Sequence, residues 1–226
     1  MKWLLIALAA AAALIGIGLA AAGSRGDGRI SRNAEAVRLC DEGTADLHAF
    51  RLRAAVDKLG RSLAGDPALV EASISRAMAF AQLGERPDLK RELARADSLT
   101  ATLKDEHRRL VAQLRLSQLA TSRFYSLRDS VYAVLSARDP DNIYVLEAGA
   151  ARATKSQDDG AIEKAWRRIL EKDPNYANSY NMLGYLELNR GNFDLAIEYM
   201  QKYAFLAPDL ANPHDSLGEV YLALGR

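Results

Sequence analysis

Residues 177–210 read Ala-Asn-Ser-Tyr-Asn-Met-Leu-Gly-Tyr-Leu-Glu-Leu-Asn-Arg-Gly-Asn-Phe-Asp-Leu-Ala-Ile-Glu-Tyr-Met-Gln-Lys-Tyr-Ala-Phe-Leu-Ala-Pro-Asp-Leu, and this stretch decides the fold. In its first half Tyr180, Leu183 and Leu186 recur at helical spacing, and Gly184 lets a second helix approach closely. Gly191 supplies a turn, because a positive φ costs it nothing. The second half repeats the helical pattern with Phe193, Ala196, Ile197, Met200 and Ala204. Pro208 cannot continue that helix and opens the next unit. The stretch predicts an antiparallel helical hairpin.

The hairpin recurs. Pro140, Pro174 and Pro208 follow one another at intervals of 34 residues, and Pro67 precedes Pro140 by 73, two periods plus five. Residues 143–176 keep Leu146, Ala150, Trp166, Leu170 and Pro174, with Gly160 displaced from the turn. Residues 109–142 keep Leu116, Leu119, Tyr132 and Pro140. Residues 36–69 keep Gly43, Ala55, Leu59 and Pro67, and residues 70–103 keep Ala77, Phe80, Gly84, Leu93 and Ala96. The extra five residues fall to Thr100–Arg108, where the stacking is expected to break. Residues 211–226 begin one more unit, whose Leu217, Tyr221 and Leu224 would form an exposed apolar stripe. Solenoid ends need a polar cap, so this last stretch is expected either to serve as the cap or to continue in a longer chain.

The unit at 177–210 resembles a tetratricopeptide repeat. Tyr180, Leu183, Gly184, Gly191, Phe193, Ala196, Met200 and Pro208 stand where that pattern places its aromatic, Leu-Gly, turn, Ala and Pro residues. Glu187 replaces a usual aromatic and Tyr203 a usual small residue, which predicts looser helix contacts there; Arg128 takes the small-residue place in its own unit. The resemblance implies an all-α, right-handed α–α superhelix over residues 34–226, with a concave groove lined by the first helix of each hairpin. By that resemblance the partner-binding residues are Tyr144, Glu147 and Lys155 in one unit, Asn178, Asn181, Tyr185, Leu188 and Asn189 in the next, and Asn212, Asp215 and Glu219 in the last. Asparagine amides can bond a peptide backbone as donors and acceptors, and tyrosines add contact area at low entropy cost. Relatives that clamp an acidic peptide C-terminus use several Lys and Arg in this groove; here Lys155 alone qualifies.

Before the repeats, Trp3 to Gly23 is an apolar run of 21 residues without a charge, long enough for a helix to span a bilayer core of roughly 30 Å. Residues 1–23 therefore read as a single hydrophobic helix, a signal peptide cut near Ala20-Ala21-Ala22 or an uncleaved anchor, and residues 24–33 as a linker. The signal reading and the commonest anchor orientation both place the repeats outside the cytoplasm, as in a bacterial periplasm, while Lys2 on one side and Arg25, Arg29 and Arg32 on the other leave an anchor's orientation open.

Composition limits the chemistry. Thirty Lys and Arg stand against 29 Asp and Glu, a formal charge of +1, which argues against a nucleic-acid binder. One cysteine, Cys40, excludes a disulfide framework and suits a small buried residue. His48, His107 and His214 share no metal-ligand spacing, and neither a nucleophile elbow nor a phosphate loop occurs, so no catalytic residue, metal or cofactor is expected. Asp105-Glu106 and Asp158-Asp159 suit helix capping, and Arg86–Arg95, interleaved with Glu85, Asp88 and Glu92, reads as a solvated face. The expectation is a non-enzymatic scaffold that binds a protein or peptide. The alternatives are a repeat arm of a larger enzyme, a protein kinase or glycosyltransferase, and a module that self-associates through its last helix.

Overall fold

A computed structural model describes residues 31–119, 122–208 and 210–225; the apolar run 1–23 and linker residues 24–30 lie outside the described residues. Among the described residues there are eleven α-helices: α1 (Ala34–His48), α2 (Leu52–Gly65), α3 (Val70–Leu83), α4 (Arg86–Thr102), α5 (Glu106–Leu116), α6 (Arg128–Arg138), α7 (Ile143–Ser156), α8 (Asp159–Lys172), α9 (Ala177–Asn189), α10 (Phe193–Leu206) and α11 (Ala211–Ala223). They pack as hairpins, α1 on α2, α3 on α4, α5 on α6, α7 on α8 and α9 on α10, with α11 against α10. Pro67, Pro140, Pro174 and Pro208 all lie between hairpins. Asp105 and Asp158 cap α5 and α8, accepting from the backbone N–H of Arg108 and Ala161.

Close approach within a hairpin rests on one helical position. A methyl group on Gly184 would lie 2.7 Å from Met200 Cε, and one on Gly43 would lie 2.7 Å from Leu59 Cγ and 3.2 Å from its backbone nitrogen. Leu59 and Met200 are fully buried, so neither can swing aside. Gly218 holds the same position in α11 and meets nothing within 4 Å, for no described helix packs there as a second partner. Leu217, Tyr221 and Leu224, expected as an exposed stripe, are half-buried instead. Pro213, Ser216 and Val220 turn toward the core, leaving Leu222 as the outward apolar side chain at 77% exposure.

Two expected weak points are strong. Glu187 is buried and accepts from Arg190 Nη1 at 2.8 Å and Asn192 Nδ2 at 2.7 Å, stitching the α9–α10 turn. Tyr203 is 2% exposed and its hydroxyl accepts from Asn212 Nδ2 at 3.0 Å. Nor is Arg86–Arg95 wholly solvated: Glu92 is buried, accepting from Ser73 Oγ at 2.7 Å and pairing with Arg76 at 3.1 Å.

The five extra residues are not a break at Thr100–Arg108. Helix α4 runs on through Thr102, and Asp105 caps α5 at once. Helices α3, α5 and α7 begin at Val70, Glu106 and Ile143, intervals of 36 and 37 residues, so the excess is shared between two hairpins. The irregular stretch lies between α5 and α6, where Ser117 Oγ donates to Leu114 O at 2.6 Å as α5 ends, and buried Phe124 anchors the chain beside Leu93 and Ala96.

The array bends until its ends meet. Phe50, in the α1–α2 turn, has φ +55°, the left-handed conformation that Gly84 and Gly191 adopt in two of the other turns. For a non-glycine residue that conformation costs about 1–2 kcal/mol. From that position its ring lies 5.9 Å from the ring of Tyr203 in α10, and Leu210 packs against the first hairpin's core. Beside it His48 Nδ1 donates to Asp173 Oδ2 at 2.8 Å, across 125 residues of sequence. The concave side is thus crossed by the first turn rather than being one long open groove.

Gly43→Ala is expected to lower stability by about 1–3 kcal/mol through overpacking, whereas Gly218→Ala gains about 0.5–1 kcal/mol of helix propensity; urea midpoints separate the two. At Phe50, substitution by Ala keeps the backbone strain and loses the ring, while Gly loses the ring and relieves the strain. Phe50→Ala should therefore be less stable than Phe50→Gly by about 1 kcal/mol, with both below wild type.

Candidate binding site on the closed concave face

The inner sides of the first helices converge. Leu47 and His48 of α1, Met78 and Gln82 of α3, Arg115 of α5, Tyr144 and Glu147 of α7, and Asn178 of α9 line one cavity of about 320 Å³ with Phe50, Gln118 and Tyr176. A chain of contacts runs round it. Thr44 Oγ1 and Ser75 Oγ are 3.1 Å apart, Arg115 Nη2 donates to Ser75 Oγ at 2.7 Å, and the Arg115 guanidinium lies 4.2 Å over the Tyr144 ring. The His48 ring stands 6.2 Å from that of Tyr144 and 4.6 Å from that of Tyr176, which returns the chain to α1.

Two ionisable groups here are displaced from their ordinary values. Burial alone would raise Asp173, but the hydrogen bond and charge of His48, helped by the Asn175 N–H and Arg51, hold its carboxyl below the usual range. Burial pushes the Tyr176 hydroxyl well above its ordinary value, and the neighbouring Glu147 carboxylate adds to this.

A second cavity of about 540 Å³ adjoins the first, sharing Gln118, Glu147 and Asn178 with it. Its floor is Leu114, Ala148, Trp166 and Met182; its rim carries Arg128, Arg152, Lys155 and Asp129. Asp129 is paired with Arg152, which also lies over the Tyr132 ring. The cavity exists because the third hairpin is short: α5 and α6 have 11 residues each against 14 in α7 and α8. The last turn of α7 is therefore uncovered, and Ala151, Arg152, Thr154 and Lys155 are exposed.

The residues expected to line a groove divide into groups. Tyr144, Glu147 and Asn178 meet at the central cavity, and Glu147, Lys155 and Asn178 line the adjoining one. Asn181 and Tyr185 are turned to α11, where the Tyr185 hydroxyl donates to Ser216 Oγ at 3.0 Å and Ser216 Oγ donates to Asn181 Oδ1 at 3.4 Å. Leu188 packs in the core of the fifth hairpin. Asn189, Asn212, Asp215 and Glu219 are exposed, Asn212 donating to Tyr203.

Arg115, His48 and Gln118 were not foreseen. The usable signal for Arg115 is Leu114-Arg115-Leu116: two neighbouring positions that are both core leave a helix no polar side for the charge between them. His48 gave none, since its partner lies in the fourth hairpin's exit. Among the described residues no group of three or more His, Cys, Asp or Glu could hold a metal ion, and no helix is long and apolar enough to cross a membrane. Cys40 is buried at 1% exposure, and His107 pairs with Asp139 at 3.1 Å.

Because the folded-state carboxyl of Asp173 lies below its ordinary 3.8, its contribution is present above that pH and is lost as pH falls through the folded value. Asp173→Asn should thus be less stable than wild type at neutral pH. The gap should narrow progressively as the pH is taken below 3.8, read as urea midpoints across the series.

Residues 165–198 match the family model of the tetratricopeptide repeat. Comparison with curated proteins finds no match. Among solved structures the chain is similar to one in the APC/C hetero-tetramer Cut9–Hcn1, at 20% identity and a TM-score of 0.50, covering 83% of this chain and 36% of that one. It thus spans about a third of that relative's length. It is also similar to a thermophilic TPR protein of Thermus thermophilus (17% identity, TM-score 0.49, 83% and 99% covered) and to PilW, a widely conserved type IV pilus biogenesis factor (16%, 0.43, 85% and 87%). What the chain shares with the Cut9–Hcn1 structure is the fold, an all-helical array of hairpins of the tetratricopeptide type.

Proposed function

We propose that the protein is a non-enzymatic scaffold that holds a protein partner on the concave side of its third to fifth hairpins. Hairpin arrays of this kind present extended surfaces for protein contacts. The observation that carries the reading is the cavity of about 540 Å³ beside the uncovered end of α7. Its apolar floor suits an aromatic or aliphatic anchor, and Arg128 and Lys155 on its rim, where Arg152 is already paired with Asp129, favour an acidic residue next to that anchor. Residues 1–23, apolar throughout after Lys2, would export the chain or tether it to a membrane, with the repeats in an extracytoplasmic space such as a bacterial periplasm.

Ala151→Glu fills the rim from an exposed position of α7, sets a like charge against the partner's acidic residue and should leave the fold intact. In affinity capture with the full chain from its own cells after cross-linking, the specific partner is expected to fall about tenfold relative to wild type. Undiminished recovery with an unchanged circular dichroism spectrum would remove the third-to-fifth-hairpin surface as the docking site.

A further inference from the structure

Arg115 is 3% exposed, yet among the described residues no carboxylate lies within 4.0 Å of its guanidinium. It has a serine hydroxyl and a tyrosine face, and its Nε is buried without a partner. A buried cation left so is costly unless something completes its bonding. In the same cavity Glu147 accepts from Gln118 Nε2 at 3.2 Å, has the Tyr176 hydroxyl as a second polar neighbour, and forms no ion pair among the described residues. His48 Nε2, buried on the same wall, is likewise without a partner.

We infer that this central cavity binds a small zwitterion of the amino-acid class, its carboxylate on Arg115 and its ammonium toward Glu147. A cation and an anion that face one space without meeting suit a ligand carrying both charges. A simple anion would meet Glu147 and a simple cation Arg115. The amides of Gln82, Gln118 and Asn178 can donate or accept as the ligand requires. About 320 Å³ lies at the lower end of small-ligand pockets, and the Phe50–Tyr203 and His48–Asp173 contacts cross the face through which a longer chain would thread.

The test takes the full chain and each of the twenty protein amino acids at millimolar concentration, followed by melting temperature and then by titration calorimetry. At least one amino acid is expected to raise the melting temperature. Its N-acetyl and its methyl-ester derivatives, each lacking one charge, are expected to bind at least about tenfold more weakly. Arg115→Met and Glu147→Gln should each abolish the shift; the derivative series needs no variant and stands even if Arg115→Met fails to fold. The absence of binding by every amino acid, or a derivative that binds as tightly as its parent, overturns the inference.

Discussion

A stack of helical hairpins buries each unit's apolar sides against its neighbours, and among the described residues no helix precedes the first unit. Here the turn of that unit reaches across the concave side instead. Phe50 sits in a backbone conformation that favours glycine and so places its ring against Tyr203. The strain, about 1–2 kcal/mol, is tolerable because an aromatic side chain removed from water contributes a comparable or larger amount. Tyr203 itself departs from the repeat pattern by being large. Its size is what the crossing turn packs on, so two local irregularities at opposite ends of the chain serve one contact.

That closure changes the meaning of the inner helical faces. In an open solenoid, polar residues on the first helices would be solvated. Once the ends meet, Thr44, Ser75, Arg115, Tyr144 and His48 become a continuous polar lining on α1, α3, α5 and α7. A buried guanidinium held by one hydroxyl and one ring face is poor evidence for stability, since well-packed apolar groups in its place are often neutral or better. Its burial is more readily understood as specificity, either for the register of the converging helices or for what enters between them.

The repeat itself was legible because it is local. Period-34 prolines, the Leu-Gly step at Leu183-Gly184 and the turn glycine Gly191 each report on contacts within a hairpin or between adjacent ones. The site was legible only in part, for the opposite reason. Tyr144, Glu147 and Asn178 could be placed on the inner face by helical register alone. Whether they met an open groove or a closed cavity depended on superhelical bend, the small rotation that each hairpin adds, and no short pattern encodes that sum. Glu187 misled for a related reason: a carboxylate at an aromatic position signals loosening unless the turn ahead supplies Arg190 and Asn192 to satisfy it.

The least regular hairpin has the largest consequences. Helices α5 and α6 are about a turn shorter than those that follow, so the stack carries a notch in its middle. Between them Phe124 packs in one buried cluster with Val70, Ile74, Leu93 and Ala96 of the second hairpin. On its inner side the notch leaves the end of α7 bare, and it is there that the two cavities adjoin through Gln118, Glu147 and Asn178. A full-length α5 would carry its next turn across that place and cover it. Repeat proteins gain stability from regularity, because each interface resembles the last; a unit that keeps its neighbours' contacts while giving up a turn exchanges part of that stability for open space, and in this chain the open space is where the polar side chains gather.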